Sequence, residues 1–322
     1  MSIEHESLLV PDPPHMGSLM KFVTFELEGT AKPGLWLADG ILDIGQVVPA
    51  ADRNLFTSVL SIIANNDRTI GILKQVLDSG SSPQGALIDA SRCRLLAPIP
   101  RPAKNVFCVG RNYMEHVAEG YSAQGLDLKL PQHPQFFTKP PTAVVGPGAE
   151  IRFQADVMEK LDYEVELAVI IGKTGRNIAP GDALDHIFGY SIINDLTARD
   201  LQRRHDQWFK GKGLDSSCPF GPWIVHREEI SDPQQLTIRL SVNGELRQES
   251  TTAQMIFDLP RIITDLSRGM TLEAGDIIAT GTPSGVGYAR QPPSFLVPGD
   301  VVQCEIGGIG MLTNRIATST MS

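Results

Sequence analysis

Glu164 and Glu166 stand close together in a stretch, Asp162-Tyr-Glu-Val-Glu166, that otherwise reads as part of a β-strand. The run from Leu161 to Ile171 alternates, is rich in Val, Leu and Ile, and closes at Gly172. Strand side chains alternate between faces, so the two glutamates share one, about 7 Å apart at roughly 3.3 Å of rise per residue. Tyr163, Val165, Leu167 and Val169 take the other face and read as core. An isolated pair of this kind ordinarily marks the solvent face of an edge strand. Here the glutamate face continues through Ala168 and Ile170, which is not how a solvated face reads. Two carboxylates in an apolar setting repel each other and lose solvation. A hard divalent cation removes both penalties, because Mg²⁺ and similar ions take carboxylate oxygens, with waters completing the shell. Asp195 is the natural third ligand. It ends the apolar run Ile187 to Asn194 and precedes Thr197 to Gln202, which has helical character.

A second constellation is His116 with Glu119. If residues 112–120 are helical, the two share a face. A carboxylate beside an imidazole orients it and raises its basicity, the arrangement needed to take a proton from water. Taken alone, the pair is better read as a surface His–Glu pair on a mobile helix. Lys212 lies between glycines in Phe209-Lys-Gly-Lys-Gly-Leu214. Glycines let a backbone approach a ligand closely, and a lysine there can neutralise an anion or a developing oxyanion. Gly281-Thr-Pro-Ser-Gly285 is a tight turn after a buried strand, and Thr282 is placed to donate to a carboxylate. Lys139 and Arg111 are further candidate anion contacts.

These residues need elements to hold them. Lys21 to Leu27 and Gly34 to Ile44 read as strands, with a turn at Asp39-Gly40. Leu55 to Leu77 has helical spacing with a break at Asp67, and Ser79 to Gly85 is polar and flexible in composition. Leu95 to Pro102 is punctuated by prolines and reads as a linker, with a domain boundary near residue 100. Beyond it come strands at Val106 to Val109, Leu236 to Asn243, Asp276 to Thr280 and Val301 to Ile306, and helices at Asn112 to Glu119 and Phe257 to Arg268. Many strands joined by Gly- and Pro-rich turns imply an α+β chain. Its catalytic domain, residues 101–322, is a rolled or sandwiched β core rather than a doubly wound sheet. Residues 20–100 form a small α/β domain, and residues 1–19 read as a flexible tail, or in part as a cloning scar around His15-Met-Gly-Ser18. The glycines near 110 and 307–310 lack the strand–G-x-G-x-x-G–helix context of a dinucleotide site.

The 322-residue chain carries a net charge of −9, which argues against a nucleic-acid partner. No apolar run approaches a membrane span, and no secretory leader pattern is present. The first 20 residues contain no Arg and include Glu4 and Glu6, unlike a mitochondrial leader. Four widely spaced cysteines form no CxxC pair and read as free thiols of a cytoplasmic protein.

Together the motifs carry a resemblance. Val109-Gly-Arg-Asn-Tyr-Met-Glu-His-Val-Ala-Glu119, Phe137-Thr-Lys-Pro-Pro-Thr142 and Asp162-Tyr-Glu-Val-Glu166 come first, followed by Asn194-Asp-Leu-Thr-Ala-Arg-Asp-Leu-Gln202. Lys212-Gly-Leu-Asp-Ser-Ser-Cys-Pro219, Val242-Asn-Gly-Glu245 and Thr280-Gly-Thr-Pro-Ser-Gly-Val-Gly287 complete the series. In this order, over about residues 104 to 316, the chain resembles the fumarylacetoacetate hydrolase family. The resemblance implies a mixed β-roll domain, commonly a homodimer, and Mg²⁺ (or Mn²⁺ or Ca²⁺) held by Glu164, Glu166 and Asp195. It implies a His116–Glu119 dyad on a segment that closes over substrate, with Lys212 near the reacting carbonyl. Tyr113 and Gln202 join Arg111, Lys139 and Thr282 as expected substrate contacts. The large eukaryotic member has a further acidic ligand where this chain has Val109, so the chain is more similar to the small acylpyruvate-type members.

The leading expectation is hydrolysis of a 2,4-dioxo acid, of the kind formed in aromatic compound catabolism. Water activated by His116 and Glu119 attacks the distal carbonyl, the C3–C4 bond breaks, and the pyruvate enolate leaves onto the metal while Lys212 stabilises the oxyanion. The alternative is decarboxylation of oxaloacetate or a related dioxo acid, or an enol–keto tautomerisation, at the same metal–enolate site. A silent binding relative is the remaining alternative, and it has no physical need for an intact ligand trio, dyad and lysine.

Overall fold

The computed structural model describes residues 20–79 and 85–319. The expected tail at 1–19 and most of the polar stretch before Gly85 lie outside the described residues. The architecture is α+β and dominated by two sheets. The larger runs, in spatial order, Leu87–Ile88, Gly40–Asp43, Thr30–Leu37, Lys21–Leu27, Cys218–His226, Ile187–Asn194, Val165–Ile171, Ile277–Ala279, Val106–Gly110 and Gln135–Lys139. The smaller pairs Glu245–Thr251, Thr237–Val242, Val301–Ile306, Gly310–Thr318 and Glu150–Phe153.

Both faces of the large sheet are covered, and the central strands show it. Val165, Leu167 and Val169 pack with Ile238, Leu240 and Cys304 of the smaller sheet and with Ile262 and Leu266 of the helix Leu259–Ser267. Ala168 and Ile170 pack on the other side with Phe188 and Ile224, and with Ile62, Ile63, Ile70 and Leu73 of the helices Val59–Ala64 and Asn66–Ser79. A strand covered on both faces reads as a near-continuous apolar run, and Val165–Ile171 is buried throughout. Burying one such side chain contributes roughly 1.5–3 kcal/mol. A carboxylate in its place forfeits that and adds desolvation.

The N-terminal strands extend this same sheet. Lys21 and Phe22 pair with Val225 and Ile224, so sheet pairing runs on across the expected boundary near residue 100. The expected linker is partly strand, because Arg94–Leu96 pairs with Thr24–Glu26. The expected second strand, Gly34 to Ile44, is two strands, Thr30–Leu37 and Gly40–Asp43, folded back at the predicted Asp-Gly turn. The expected strand from Leu161 to Ile171 is also two pieces, Leu161–Asp162 and Val165–Ile171. The chain leaves the ladder at Tyr163 and Glu164 because their amides donate to side chains: Tyr163 N to Asp162 Oδ1 and Glu164 N to Asn194 Oδ1. The expected helix after Asp195 begins late, since Thr197–Ala198 pairs with Leu161–Asp162 before the helix Arg199–Arg204 starts.

Strand ends converge on one place. Val165 opens its strand opposite Asn194, which closes the neighbouring one. Ala279 stands between Ala168 and Cys108, so the chain leaves Ile277–Ala279 beside Gly110. The candidate residues lie at this junction.

Candidate active site

Glu164, Glu166 and Asp195 meet with carboxylate oxygens all within 4.8 Å of one another. None is more than 4% exposed. Repulsion on this scale needs cations, and the chain supplies three. Lys212 Nζ donates to Glu164 Oε2 and Asp195 Oδ2, each at 2.6 Å. Lys139 Nζ donates to Asp195 Oδ1 at 2.7 Å and to the carbonyl of Leu196 at 3.0 Å. Arg199 Nε donates to Asp162 Oδ2 at 2.8 Å, and its Nη2 lies 2.6 Å from Glu164 Oε1 as an ion pair without hydrogen-bond alignment.

Four carboxylates, Asp162, Glu164, Glu166 and Asp195, thus face three cations, and Glu166 is the one left over. Among the described residues its carboxylate accepts only the amide of Gly281, at 2.8 Å. Burial, together with Asp195 and Glu164, pushes the Glu166 carboxyl well above the ordinary range. Burial raises Glu164 too, but Lys212 and Arg199 outweigh it and hold that carboxyl well below the ordinary range. Burial opposes the charge on Lys212, and the carboxylates of Asp195 and Glu164 more than offset it, so the ammonium is retained. The donor set, three anionic oxygen carriers with one uncompensated charge, fits a hard divalent cation.

His116 and Glu119 come together as expected. The helix is Met114–Ala123, starting two residues later than the sequence suggested, and His116 Nδ1 lies 2.7 Å from Glu119 Oε1. Glu119 Oε2 accepts the amide of Gly285 at 2.8 Å. The turn that follows Ile277–Ala279 therefore binds the carboxylate cluster at Gly281 and the dyad at Gly285. It continues to Asp162, which accepts the amides of Gly287 at 2.7 Å and Tyr288 at 3.0 Å.

A cavity of about 300 Å³ is lined by Glu164, Glu166, His116 and Lys212. Of the expected substrate contacts, Arg111, Gln202 and Thr282 line it. Thr282 Oγ1 accepts from Gln248 Nε2 at 2.9 Å, which leaves its own proton free to donate. Lys139 does not line the cavity; it stands behind Asp195, wholly buried, with its ammonium committed to Asp195 and Leu196. Tyr113 is also buried outside the lining, and its hydroxyl has no hydrogen-bond partner among the described residues. Burial and the nearby Glu166 raise its pKa. Lys212 is not on an open loop, as its flanking glycines suggested. It ends the short helix Phe209–Lys212 and is buried.

Arg199, Tyr288, Trp208 and the backbone amides of the 281–288 turn are site residues that the sequence reading missed. Arg199 lay in a stretch already singled out, Asn194 to Gln202, and a basic residue so soon after Asp195 was a usable signal. Trp208 and Tyr288 gave none, because only the folded chain brings them to the cavity.

Known proteins resemble this geometry and chain. The model of the fumarylacetoacetate (FAA) hydrolase C-terminal family matches residues 105–317. Oxaloacetate tautomerase YisK of Bacillus subtilis is 45% identical over 308 residues, covering 92% of this chain and 100% of that protein. The structure of fumarylacetoacetate hydrolase from Exiguobacterium antarcticum superposes with a TM-score of 0.77 at 43% identity, covering 93% of this chain and 100% of that one. A maleylpyruvate hydrolase from Sphingobium sp. SYK-6, solved with manganese(II) and pyruvate, gives a TM-score of 0.74 at 29% identity, covering 94% of this chain and 100% of that one. Among the described residues no helix is long and apolar enough to cross a membrane. Motif order, carboxylate geometry and end-to-end relatives agree: the chain belongs to the fumarylacetoacetate hydrolase family.

Proposed function

We propose that this protein is a divalent-metal-dependent enol–keto tautomerase acting on a short 2-oxo diacid of the oxaloacetate class. The observation that carries the reading is one cavity lined by both His116 and the Glu164–Glu166 pair. Tautomerisation needs one proton carrier and one site that tolerates enolate charge, and no ordered water. The similarity to the tautomerase of Bacillus subtilis favours this reading over the hydrolysis expected from sequence.

Glu164, Glu166 and Asp195 are the residues that would hold the ion, taken here as Mg²⁺ with Mn²⁺ or Ca²⁺ as substitutes. When bound, it supplies Lewis-acid stabilisation of enolate charge. The chain's own residues do the rest. Glu119 fixes the His116 ring through Nδ1, leaving Nε2 to carry the proton. In the enol-to-keto direction the enol O–H proton passes to His116 Nε2, the C2=C3 double bond becomes single as C2=O forms, and His116 delivers the proton at C3. Lys212 and Arg199 hold the Glu164 carboxylate in place, and Lys212 also holds that of Asp195. Thr282 and Gln202 line the cavity as uncharged contacts. We place the protein in the cytoplasm, since its four cysteines are all free, and assign it a homodimeric state from its family.

A second reading, C–C bond hydrolysis of an acylpyruvate, is supported by the likeness to a maleylpyruvate hydrolase and by a dyad able to activate water. One experiment decides between them. Crystalline enol oxaloacetate is added to Mg²⁺-loaded enzyme and the loss of enol absorbance is followed, with acylpyruvate cleavage to pyruvate assayed in parallel. Acceleration of ketonisation well beyond any acylpyruvate cleavage supports the tautomerase. Ketonisation at the buffer rate with rapid pyruvate release overturns it.

A further inference from the structure

Four cationic side chains line the cavity: Arg111, Arg199, Arg203 and Lys212. Two have carboxylate partners. Arg199 holds Asp162 and Glu164, and Lys212 holds Glu164 and Asp195. Arg111 and Arg203 have no carboxylate partner among the described residues. The Arg111 guanidinium lies 5.5 Å from the ring centroid of Tyr121 and 5.8 Å from that of Trp208, with one long contact of 3.4 Å to the Tyr121 hydroxyl. The Arg203 guanidinium lies 5.9 Å from the ring of Tyr288, which also carries Arg199 at 4.5 Å. Aromatic faces orient a guanidinium without neutralising it. Arg111 is half-buried and Arg203 is exposed at the cavity, and no carboxylate among the described residues neutralises either.

The backbone adds a second observation. Arg111 has φ of +57°, in the left-handed region that favours glycine. A residue held there at a site is a reason to ask what its side chain does. Asp206, an acidic residue of the same lining, forms no ion pair with either arginine among the described residues, so the formal charges of these three sum to one positive.

We propose that Arg111 and Arg203 form a subsite for the distal carboxylate of the substrate, so that the cavity selects 2-oxo diacids over 2-oxo monoacids. The inference rests on the tautomerase reading of the same cavity and names its substrate class. Guanidinium forks match carboxylates in bidentate geometry, which an ammonium does not. Arg199 contacts both Glu164 and Tyr288, and Arg203 contacts Tyr288 alone, so Tyr288 links the carboxylate cluster to the arginine subsite. About 300 Å³ accommodates a four-carbon diacid with its 2-oxo end at the carboxylate cluster.

The test compares enol oxaloacetate with enol phenylpyruvate, a 2-oxo monoacid, as substrates of Mg²⁺-loaded wild type, Arg203→Gln, Arg111→Gln and the double variant. Losing one charge-assisted contact should lower the ratio of kcat/KM for diacid over monoacid roughly 10–100-fold, mainly through KM. Asp206→Asn should raise the ratio. An unchanged ratio in the double variant overturns the subsite. A binding arm separates this failure from failure of the tautomerase reading. Malate and lactate are titrated calorimetrically into the same Mg²⁺-loaded proteins. If wild type ketonises neither enol yet binds malate over lactate, and the double variant loses that preference, the subsite stands and the tautomerase reading falls. If the malate preference survives in the double variant, the subsite falls whatever the enzyme's activity.

Discussion

The side chains of Glu164 and Asp195 are 6% and 0% exposed, whereas those of His116 and Glu119 are 12% and 20% exposed. The carboxylates sit at the ends of central strands, with Lys139, Lys212 and Arg199 pressed against them. The dyad sits on the helix Met114–Ala123, tied to the rest of the site through the Gly285 amide and a surface contact between Ser284 and Glu115. One region is fixed before any ligand arrives, as stabilisation of developing charge requires. The other has few anchors, as a group that must carry a proton and admit substrate requires. The difference separates two roles: fixed charge in the strands, mobile proton on the helix.

The largest effect should come from breaking the fixed half. Chelation with EDTA, or Glu166→Gln, should reduce ketonisation to the buffer rate, with divalent metal restoring only the chelated wild type. Full activity in metal-free protein, with the metal content checked by atomic spectroscopy, would remove the cation from the chemistry. Next comes the mobile half. His116→Ala should slow turnover by roughly 10²–10⁴-fold, the span of a positioned general base. Calorimetric Mn²⁺ affinity should be unchanged, because His116 stands outside the ligand set. A large drop in metal affinity would show that the two halves are one unit.

A third change probes the cations that hold the carboxylates. Lys212→Gln leaves Glu164 with Arg199 and Asp195 with Lys139, so the buried network is weakened and not abolished. Metal-free protein should lose about 3 kcal/mol of stability, the low end for breaking a buried pair. Mg²⁺ should then raise the Tm of the variant more than that of wild type, because it returns charge that the ammonium no longer supplies. Equal Mg²⁺ shifts in both proteins would mean that Lys212 does not compensate these carboxylates.

The fixed half was also the more legible in sequence. Glu164 and Glu166 announce themselves because period-two alternation places acids on a face that Ala168 and Ile170 continue as apolar. The His116–Glu119 spacing is equally local. What escaped is long-range. Lys21 pairs with Val225, and no property of either segment alone says that the N-terminal strands extend the catalytic sheet. The amides of Gly287 and Tyr288 return to Asp162 from the far end of the chain, and Glu164 N donates to Asn194 of the neighbouring strand, which breaks the strand expected from Leu161 to Ile171. Lys212 misled for a different reason. Its glycines signal loop freedom, while its burial follows from partners in two other segments.

The smallest change should strike the tether between the two halves. Gly285 has φ of +103°, and a Cβ added there collides with the carbonyl oxygen of Arg247. Its amide is 2.8 Å from Glu119 Oε2, while Glu119 Oε1 holds His116. Gly285→Ala must therefore shift the turn and lengthen or lose that bond, without removing any charged group. Losing one hydrogen bond to a carboxylate is worth about 1.5 kcal/mol, so kcat should fall on the order of tenfold. KM for oxaloacetate and Mn²⁺ affinity should move much less, since neither Arg111 nor Glu164 is touched by the change. The same turn binds Glu166 through Gly281, so a rigid turn would transmit the shift to the carboxylates. If Mn²⁺ affinity falls in step with kcat, the turn is a rigid bridge and the helix is no more mobile than the strands. If kcat falls alone, the dyad is held by this tether separately from the charge it works beside.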